Sequence, residues 1–260
     1  MSEKMNDKIG YFLLANTKET PKTALIAGQK IRNESDGPPY MIVDKEIQSL
    51  ILATQSWLGR LWRARVVKLG DMSGLIKNVH YWRASEIELI EELPVGLLFG
   101  ENGDKIVPLL EQISTITLTD ADRLQNAEIS SAEVAYAHGW EIWNKGLEHP
   151  RKHKYSDGMT IGSPSNHDKQ MSPINYGFSL IHSLIWKHAG EIEGEAAFVE
   201  YIEYDQTERE LNPRWQAACT AFMCKAMATG MSRHLSAEEK AALTQPWQSV
   251  FGKNDTSVNK

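Results

Sequence analysis

The sequence predicts an α+β protein, strand-rich in its N-terminal half and mostly helical in its C-terminal half. Up to residue 118, short apolar runs of strand length alternate with turns rich in Gly, Pro, Asn and Asp. Beyond that point, apolar residues recur at helical spacing behind residues that cap helices. We therefore predict a β-rich α+β subdomain over residues 1–118 and a helical subdomain over residues 119–260, with a long polar loop at 147–175.

Composition indicates a soluble globular protein with no need of disulfides or metals to fold. The 260 residues are 42% hydrophobic and 24% charged, which is ordinary for such proteins. No run of apolar residues approaches the length of a membrane helix, and the first ten residues contain no apolar core of a signal peptide. Cys219 and Cys224 are predicted to be buried thiols. These features predict a cytoplasmic protein with no membrane partner.

Most of the first subdomain is predicted to form short strands. One amphipathic helix, residues 45–58, interrupts them, and Asp44 is its predicted N-cap because a carboxylate can accept from the free amides of a first helical turn. Asn102 followed by Gly103 predicts a β-hairpin over residues 95–107. The other predicted strands are residues 9–15, 23–27, 29–31, 40–43, 61–69, 75–83 and 86–90.

The second subdomain is predicted to be built from helices with recognisable first turns. Asn212 followed by Pro213 predicts an N-cap with proline at the first helical position, and the apolar stripe behind it marks a core helix. Ser236 with Glu239 predicts a capping box for the last helix, which Pro246 is predicted to end. The other predicted helices are one that Asp120 caps and that carries Ala121 and Leu124, and residues 131–145, 176–188 and 195–210.

The densest group of arginines lies on the predicted strands 61–69 and 75–83. We predict that these strands pair as a hairpin in a symmetric register, with Trp62 opposite Trp82. Because side chains alternate between the two faces of a strand, one face is core and the other exposed. The core face carries Trp62, Ala64, Val66, His80 and Trp82. The exposed face, which we call the Trp/Arg face, carries Arg63, Arg65, Tyr81 and Arg83.

The Trp/Arg face is the predicted binding surface. Arginine beside an aromatic ring suits contact with phosphate and stacking on a base. The alternative is that these arginines are solvated or form ion pairs with Glu86, Glu88 and Glu91, since charged faces are usually exposed to solvent. The sequence leaves both readings open.

The same part of the chain resembles a known kind of domain. Residues 9–93 contain a helix ending in WLG, a strand LWRARVV, a GD turn and a strand VHYWRASEIELIEEL. This arrangement resembles an uncharacterised α+β domain of bacterial and phage proteins, in which a helical region often follows. The resemblance implies a bacterial or phage cytosolic setting. It implies no activity and carries over no catalytic residue.

Motifs for metal, nucleotide or nucleophilic chemistry are not recognised, and we predict no cofactor and no metal site. His149 and His153 have a chelating spacing, but Pro150 separates them and the basic residues around them disfavour a cation. The 147–175 loop lacks both the glycine–lysine signature of a phosphate loop and the G-x-S-x-G elbow.

An acidic segment is the second candidate surface. Residues 191–210 hold eight carboxylates and one arginine, interleaved with aromatic and aliphatic side chains. Charge runs of this kind are usually solvated faces. The alternative is an acidic surface that docks a basic partner.

The sequence thus predicts an accessory protein that acts by binding an anionic or macromolecular partner. One alternative is an enzyme for a phosphate-bearing substrate, with the Trp/Arg face and His80 binding the anion beside the 147–175 loop and a carboxylate of residues 86–92 acting as base. The other is a nucleic-acid-binding protein that uses the Trp/Arg face, which the net charge of −6 disfavours.

Overall fold

The computed structural model describes residues 8–14, 25–47, 50, 59–73, 81–127, 130–145, 172–203 and 206–252. The chain is α+β, as predicted, with a small β-barrel in its N-terminal part and six helices among the described residues that follow. It divides into two compact units, Met1–Leu98 and Phe99–Lys260, which we call the barrel unit and the helical unit. Residue 118, the predicted subdomain boundary, begins the second helix of the helical unit.

Antiparallel pairing closes the barrel. β3 and β4 each pair with both β1 and β5, so these four strands form a ring, and β2 adds to β5. Most of the predicted strands are confirmed, although residues 25–27 of the predicted strand 23–27 form no strand. Of the predicted strand 75–83 only residues 81–83 are described; they begin β5, which continues through the predicted strand at 86–90. The strands are β1 (Ile9–Leu14), β2 (Lys30–Arg32), β3 (Met41–Asp44), β4 (Arg60–Leu69) and β5 (Tyr81–Leu93).

The barrel core follows the two-residue alternation of its strands. On β4, Trp62, Ala64 and Val66 are buried, whereas Arg63 is exposed and Arg65 is half-buried. Burial of each large apolar side chain contributes roughly 1.5–3 kcal/mol to stability. The core consists of Phe12, Val43, Trp62, Ala64, Val66, Ala84, Ile87 and Leu89.

Gly10 on β1 lets the strands of the barrel approach closely. A Cβ at this position would lie 2.2 Å from the carbonyl oxygen of Asp44 on β3. That distance is far inside van der Waals contact, so any larger residue would push β1 away from β3.

The helical unit is arranged around one buried helix, α5. It packs against the five other helices of this unit, and ten of its residues are buried. A two-stranded antiparallel sheet, β6–β7, lies between α4 and α5 along the chain. The elements are α1 (Gly103–Gln112), α2 (Leu118–Asn126), α3 (Ser130–Lys145), α4 (Ser172–Glu193), β6 (Phe198–Glu203), β7 (Gln206–Leu211), α5 (Pro213–Gly230) and α6 (Ala237–Phe251), with 3-10 helices at Val95–Asn102, Ile113–Thr115 and Gly194–Ala197.

The predicted caps of the last two helices are confirmed. The Asn212 side chain accepts a hydrogen bond from the Trp215 amide at 3.2 Å, which satisfies one orphan donor of α5. Ser236 and Glu239 form the capping box of α6. The prediction that Pro246 ends this helix is wrong, because α6 continues to Phe251. Pro246 is buried in the helical unit, and packing there outweighs the lost backbone hydrogen bond.

The predicted β-hairpin over residues 95–107 is wrong. A 3-10 helix occupies Val95–Asn102, and α1 begins at Gly103. The buried residues Ile106, Leu109 and Leu110 recur at helical spacing and place one apolar face of α1 on the helical core. This burial outweighs the local turn preference of Asn-Gly.

The predicted helix over residues 195–210 is also wrong, because this stretch forms the β6–β7 hairpin. α4 ends at Glu193, and Gly194 follows with a φ of 58°, a left-handed conformation that glycine adopts without strain. The β-branched and aromatic residues of β6 then favour a strand over a helix. The run of carboxylates obscured this signal in the sequence.

Two further predictions fall mainly on residues outside the described part of the chain. They are the helix at 45–58, of which only residues 45–47 and 50 are described, and the 147–175 loop up to residue 171. Asp44 is the last residue of β3 rather than a described helix cap. Residues 172–175 form the first turn of α4.

Candidate functional site

The register of β4 and β5 separates the members of the Trp/Arg face. The predicted symmetric register is wrong: Trp62 pairs with Glu92, and Trp82 pairs with Val43 of β3. Both tryptophans nevertheless contact the same barrel core, as predicted. The register differs because the first residues of β5 pair with β3 and because β-bulges interrupt the β4–β5 ladder at three places.

Along β5, the two halves of the Trp/Arg face are distant. Arg63 lies opposite Glu91 and Arg65 opposite Glu88. Arg83 is five residues before Glu88, which corresponds to about 16 Å along an extended strand. The structure therefore brings Arg63 and Arg65 together, and Tyr81 and Arg83 together, but does not join the two pairs in one site.

Arg63 and Arg65 take part in a ladder of ion pairs between β4 and β5. Arg65 Nη1 lies 2.6 Å from Glu88 Oε2, and Arg63 Nη1 lies 3.9 Å from Glu91 Oε1. Arg60 holds Glu92 through two hydrogen bonds, which keep the pKa of that carboxyl below its usual range. Exposed pairs of this kind contribute at most about 1 kcal/mol each. Their main effect here is to balance the positive charge of β4.

Arg83 lines a shallow pocket in the barrel unit. The pocket has a volume of about 350 Å³ and is lined by Pro38, Tyr40, Ile42, Asp71 and Arg83. Arg83 Nη1 donates to the carbonyl oxygen of Asp71 at 3.2 Å. The Asp71 carboxylate accepts from the amide and hydroxyl of Ser73, which lowers its pKa. The pocket therefore holds one cation and one carboxylate, and its charges nearly cancel.

Asp44, the predicted N-cap of the helix at residues 45–58, is a buried titratable group. Its side chain is only 4% exposed, and its Oδ2 has no hydrogen-bond partner among the residues the structure describes. Burial raises the pKa of the Asp44 carboxyl to about 7. The group thus changes charge near neutral pH.

The acidic segment is organised as a hairpin rather than a helix. Between Phe198 and Leu211 it carries five carboxylates and one arginine. The arginine, Arg209, stacks over the Phe198 ring at 4.0 Å and pairs with Glu195 at the base of the hairpin. Phe198 in turn packs on Trp186 of α4, with 4.5 Å between ring centroids. These contacts fix the base of the hairpin on the helical unit.

The outer part of the hairpin exposes apolar side chains between its carboxylates. Val199 pairs with Glu210, and Tyr201 pairs with Glu208, so one face alternates apolar and acidic residues. Val199 is 43% exposed and Tyr201 37% exposed. On the opposite face Ile202 is 80% exposed. We call β6 and β7 together the acidic hairpin. The residue types of β6 were the signal for it in the sequence.

Histidines and cysteines form no reactive cluster within the described ranges. No group of three His, Cys, Asp or Glu side chains there could hold a metal ion. His182 is exposed on α4 beside Trp186, whereas His188 Nε2 lies 2.7 Å from the carbonyl oxygen of Ile116. Both cysteines are buried, as predicted, and burial raises the pKa of the Cys219 thiol to about 12. His149, His153 and His80 lie outside the described residues.

Comparison with known proteins assigns no family to this arrangement. No protein-family model, curated protein or solved structure matches the chain. Within the described residues, no helix is both long and apolar enough to cross a membrane.

Proposed function

We propose that this chain is a binding protein that docks a basic segment of a partner protein on the acidic hairpin. The observation that carries the proposal is the exposure of Val199, Tyr201 and Ile202 among carboxylates on a hairpin whose base is fixed. A cytoplasmic location is part of the proposal, and two buried cysteines that form no disulfide fit a reducing compartment.

The charge of the acidic hairpin favours a cationic partner. Glu200 and Glu208 are exposed, and neither forms an ion pair within 4 Å among the residues the structure describes, although Glu200 lies opposite Arg209 in the sheet. Arg209, the one basic residue of the hairpin sequence, is already stacked on Phe198 and paired with Glu195. Uncompensated carboxylates attract lysine and arginine side chains, and they repel nucleic-acid phosphates and anionic membranes.

The exposed apolar side chains favour a protein partner over a free cation. Tyrosine and large aliphatic residues supply most of the contact energy at interfaces, where a polar rim surrounds an apolar centre. An isoleucine that is four-fifths exposed gains stabilisation only when a second surface covers it. A segment of the partner that combines lysine or arginine with an apolar side chain matches both features of the acidic hairpin.

An anionic ligand on the Trp/Arg face is the second candidate, whether a small phosphate-bearing substrate or a nucleic acid. Arg83 beside Tyr40 in the 350 Å³ pocket favours it. The ladder of ion pairs weighs against it, because Arg63 and Arg65 already face glutamates. An Arg83→Ala variant tests this candidate by its affinity for a labelled single-stranded oligonucleotide across a salt titration, since phosphate contacts weaken steeply with salt.

The test of the main proposal uses the full chain as bait in a lysate of the source organism. A carbodiimide cross-linker joins carboxylates directly to lysine amines and therefore reports contacts of Glu200 and Glu208. Three baits are compared: the unmodified chain, Glu200→Lys with Glu208→Lys, and a charge-matched control with Glu111→Lys and Glu238→Lys elsewhere on the helical unit. Far-UV circular dichroism checks that all three fold.

We expect a partner that cross-links to the acidic hairpin, is retained by the control and is lost by the hairpin variant. With the purified partner, Ile202→Ser should weaken binding about five-fold or more through lost apolar contact. The proposal is contradicted if the unmodified chain and the hairpin variant recover the same proteins, or if no recovered protein cross-links to the hairpin.

A further inference from the structure

The helical unit contains an apolar cavity unrelated to the acidic hairpin. Its volume is about 150 Å³, and residues of α2, α3, α5 and α6 line it. The buried part of the lining consists of small or purely apolar groups together with one thiol. These residues are Leu124, Ala132, Ala217, Ala221, Cys224 and Pro246.

The cavity arises from the way α3 packs on α5. The two helices are in contact towards their C-terminal ends, whereas small residues face each other towards their N-terminal ends. At the close end, a Cβ on Gly139 would lie 2.7 Å from the Met227 sulfur, so the two helices touch there. One turn earlier the Tyr136 hydroxyl lies 3.8 Å from the Met223 sulfur. Towards the starts of both helices the facing residues are alanines, whose side chains leave the space between the helices unfilled.

The mouth of the cavity is acidic. Glu133, in the first turn of α3, is exposed and lines the opening together with Ala137 and Thr220. Among the described residues that line the cavity, Glu133 is the one charged group. A ligand that enters here therefore meets apolar walls inside and a carboxylate at the entrance.

We propose that this cavity binds a small aryl-alkyl amine, with its ring inside and its ammonium group on Glu133. The size fits, because an apolar cavity of about 150 Å³ accommodates a single benzene ring. A partner helix is too large, since such a helix anchors several side chains along an extended groove. The carboxylate at the mouth selects an ammonium group over a neutral or anionic group.

Benzylamine, toluene and benzoate are the probes, because they share a ring and differ in charge. Binding to the full chain is measured by methyl chemical shifts of the cavity alanines and by the rise in Tm at millimolar ligand, which follows from mass action. We expect benzylamine to bind most tightly, toluene less tightly and benzoate not at all. Chemical shifts should change at Ala132, Ala217 and Ala221.

Two kinds of variant distinguish binding in the cavity from non-specific binding. Ala221→Leu fills the space from α5 and Ala132→Leu fills it from α3, so each should abolish binding of both benzylamine and toluene. Glu133→Gln changes only the mouth and does not threaten the fold. It should weaken benzylamine about two- to five-fold, as expected for an exposed ion pair, and leave toluene unchanged.

The inference is overturned if benzylamine produces no cavity shifts in the unmodified chain, or if the filled variants bind it equally well. Equal binding of benzoate and benzylamine, or an unchanged benzylamine affinity in Glu133→Gln, would overturn the role of the mouth. The acidic hairpin is unaltered in all these variants, so the outcome is independent of the proposed partner binding.

Discussion

Replacing Asp44 by asparagine should remove a loss of stability that the barrel unit suffers as the pH rises. In the unfolded chain an aspartate ionises near its ordinary pKa of 3.8, whereas burial in the fold raises the Asp44 pKa to about 7. Between these values the unfolded chain releases a proton that the folded chain retains. The free energy of unfolding therefore falls as the pH rises from about 4 to about 7, and it stays at the lower value above that range.

The expected size of this effect follows from the two pKa values. A difference of about three pKa units corresponds to about 4 kcal/mol. Asparagine has nearly the same shape and cannot ionise, so Asp44→Asn should lack this contribution. The buried amide of the variant carries its own cost, but that cost is the same at every pH. It cancels when each protein is compared with itself at pH 4.5 and pH 8.

Urea unfolding at a series of pH values between 4.5 and 8.5 measures the effect. Far-UV circular dichroism follows the transition, and hydrogen exchange of β1 and β3 peptides assigns it to the barrel unit. From pH 4.5 to pH 8 the unmodified chain should lose several kcal/mol more stability than Asp44→Asn. Asp36→Asn is the control without effect in this range: Asp36 is exposed, and its hydrogen bond with Lys68 lowers its pKa, so its contribution to stability changes only below about pH 4. Equal pH dependence of the unmodified chain and Asp44→Asn would refute the reasoning.

Two further predictions concern single positions in each unit. Gly10→Ala should destabilise the barrel unit by at least about 2 kcal/mol in urea unfolding, because its Cβ would collide with the Asp44 carbonyl; Gly37→Ala, where the nearest neighbour lies at 3.9 Å, should be nearly neutral. Asn212→Ala should cost the helical unit about 1–2 kcal/mol in thermal unfolding through the lost cap on the Trp215 amide. Asn212→Asp keeps the acceptor but loses the amide that donates to the Ala196 carbonyl oxygen at 2.7 Å, so it should restore only part of that loss.

Local chemistry made parts of the fold predictable from the sequence. The strands β1, β3 and β4 were predicted almost to the residue, because period-two patterns bounded by turn residues are local signals. The caps at Asn212 and Ser236 were predicted for the same reason: a cap depends on groups within three residues along the chain.

Features that depend on distant contacts were not predictable in the same way. The stretch from Val95 to Gly103 has a favoured hairpin dipeptide, yet it forms a 3-10 helix and the start of α1, whose residues Ile106, Leu109 and Leu110 are buried in the helical unit. The β4–β5 register required knowledge that β5 also pairs with β3, a contact about 40 residues away along the chain. A register shift moves Arg63 from the predicted neighbourhood of Tyr81 to that of Glu91.

In the candidate site, too, local features were predictable from the sequence and features that depend on distant contacts were not. The sequence identified the acidic stretch, because carboxylate density is a matter of composition. It could not identify which side chains remain exposed, because that depends on how Phe198 packs on Trp186 and on how Arg209 is held. The cavity behind Glu133 left no signal in the sequence, since alanines on α3 and α5 are equally typical of close helix packing.

The closure of the barrel has a consequence for how copies of this chain meet in a crowded solution. The ring of four strands has no terminal strand, so within the described residues a neighbouring molecule could extend this sheet only at the three-residue strand β2. The acidic hairpin differs, because it is a sheet of two strands among the described residues, so each of them is an edge strand. Carboxylates on both strands make two such hairpins repel each other at neutral pH. The charges that would attract a basic partner thus also oppose self-association of the chain.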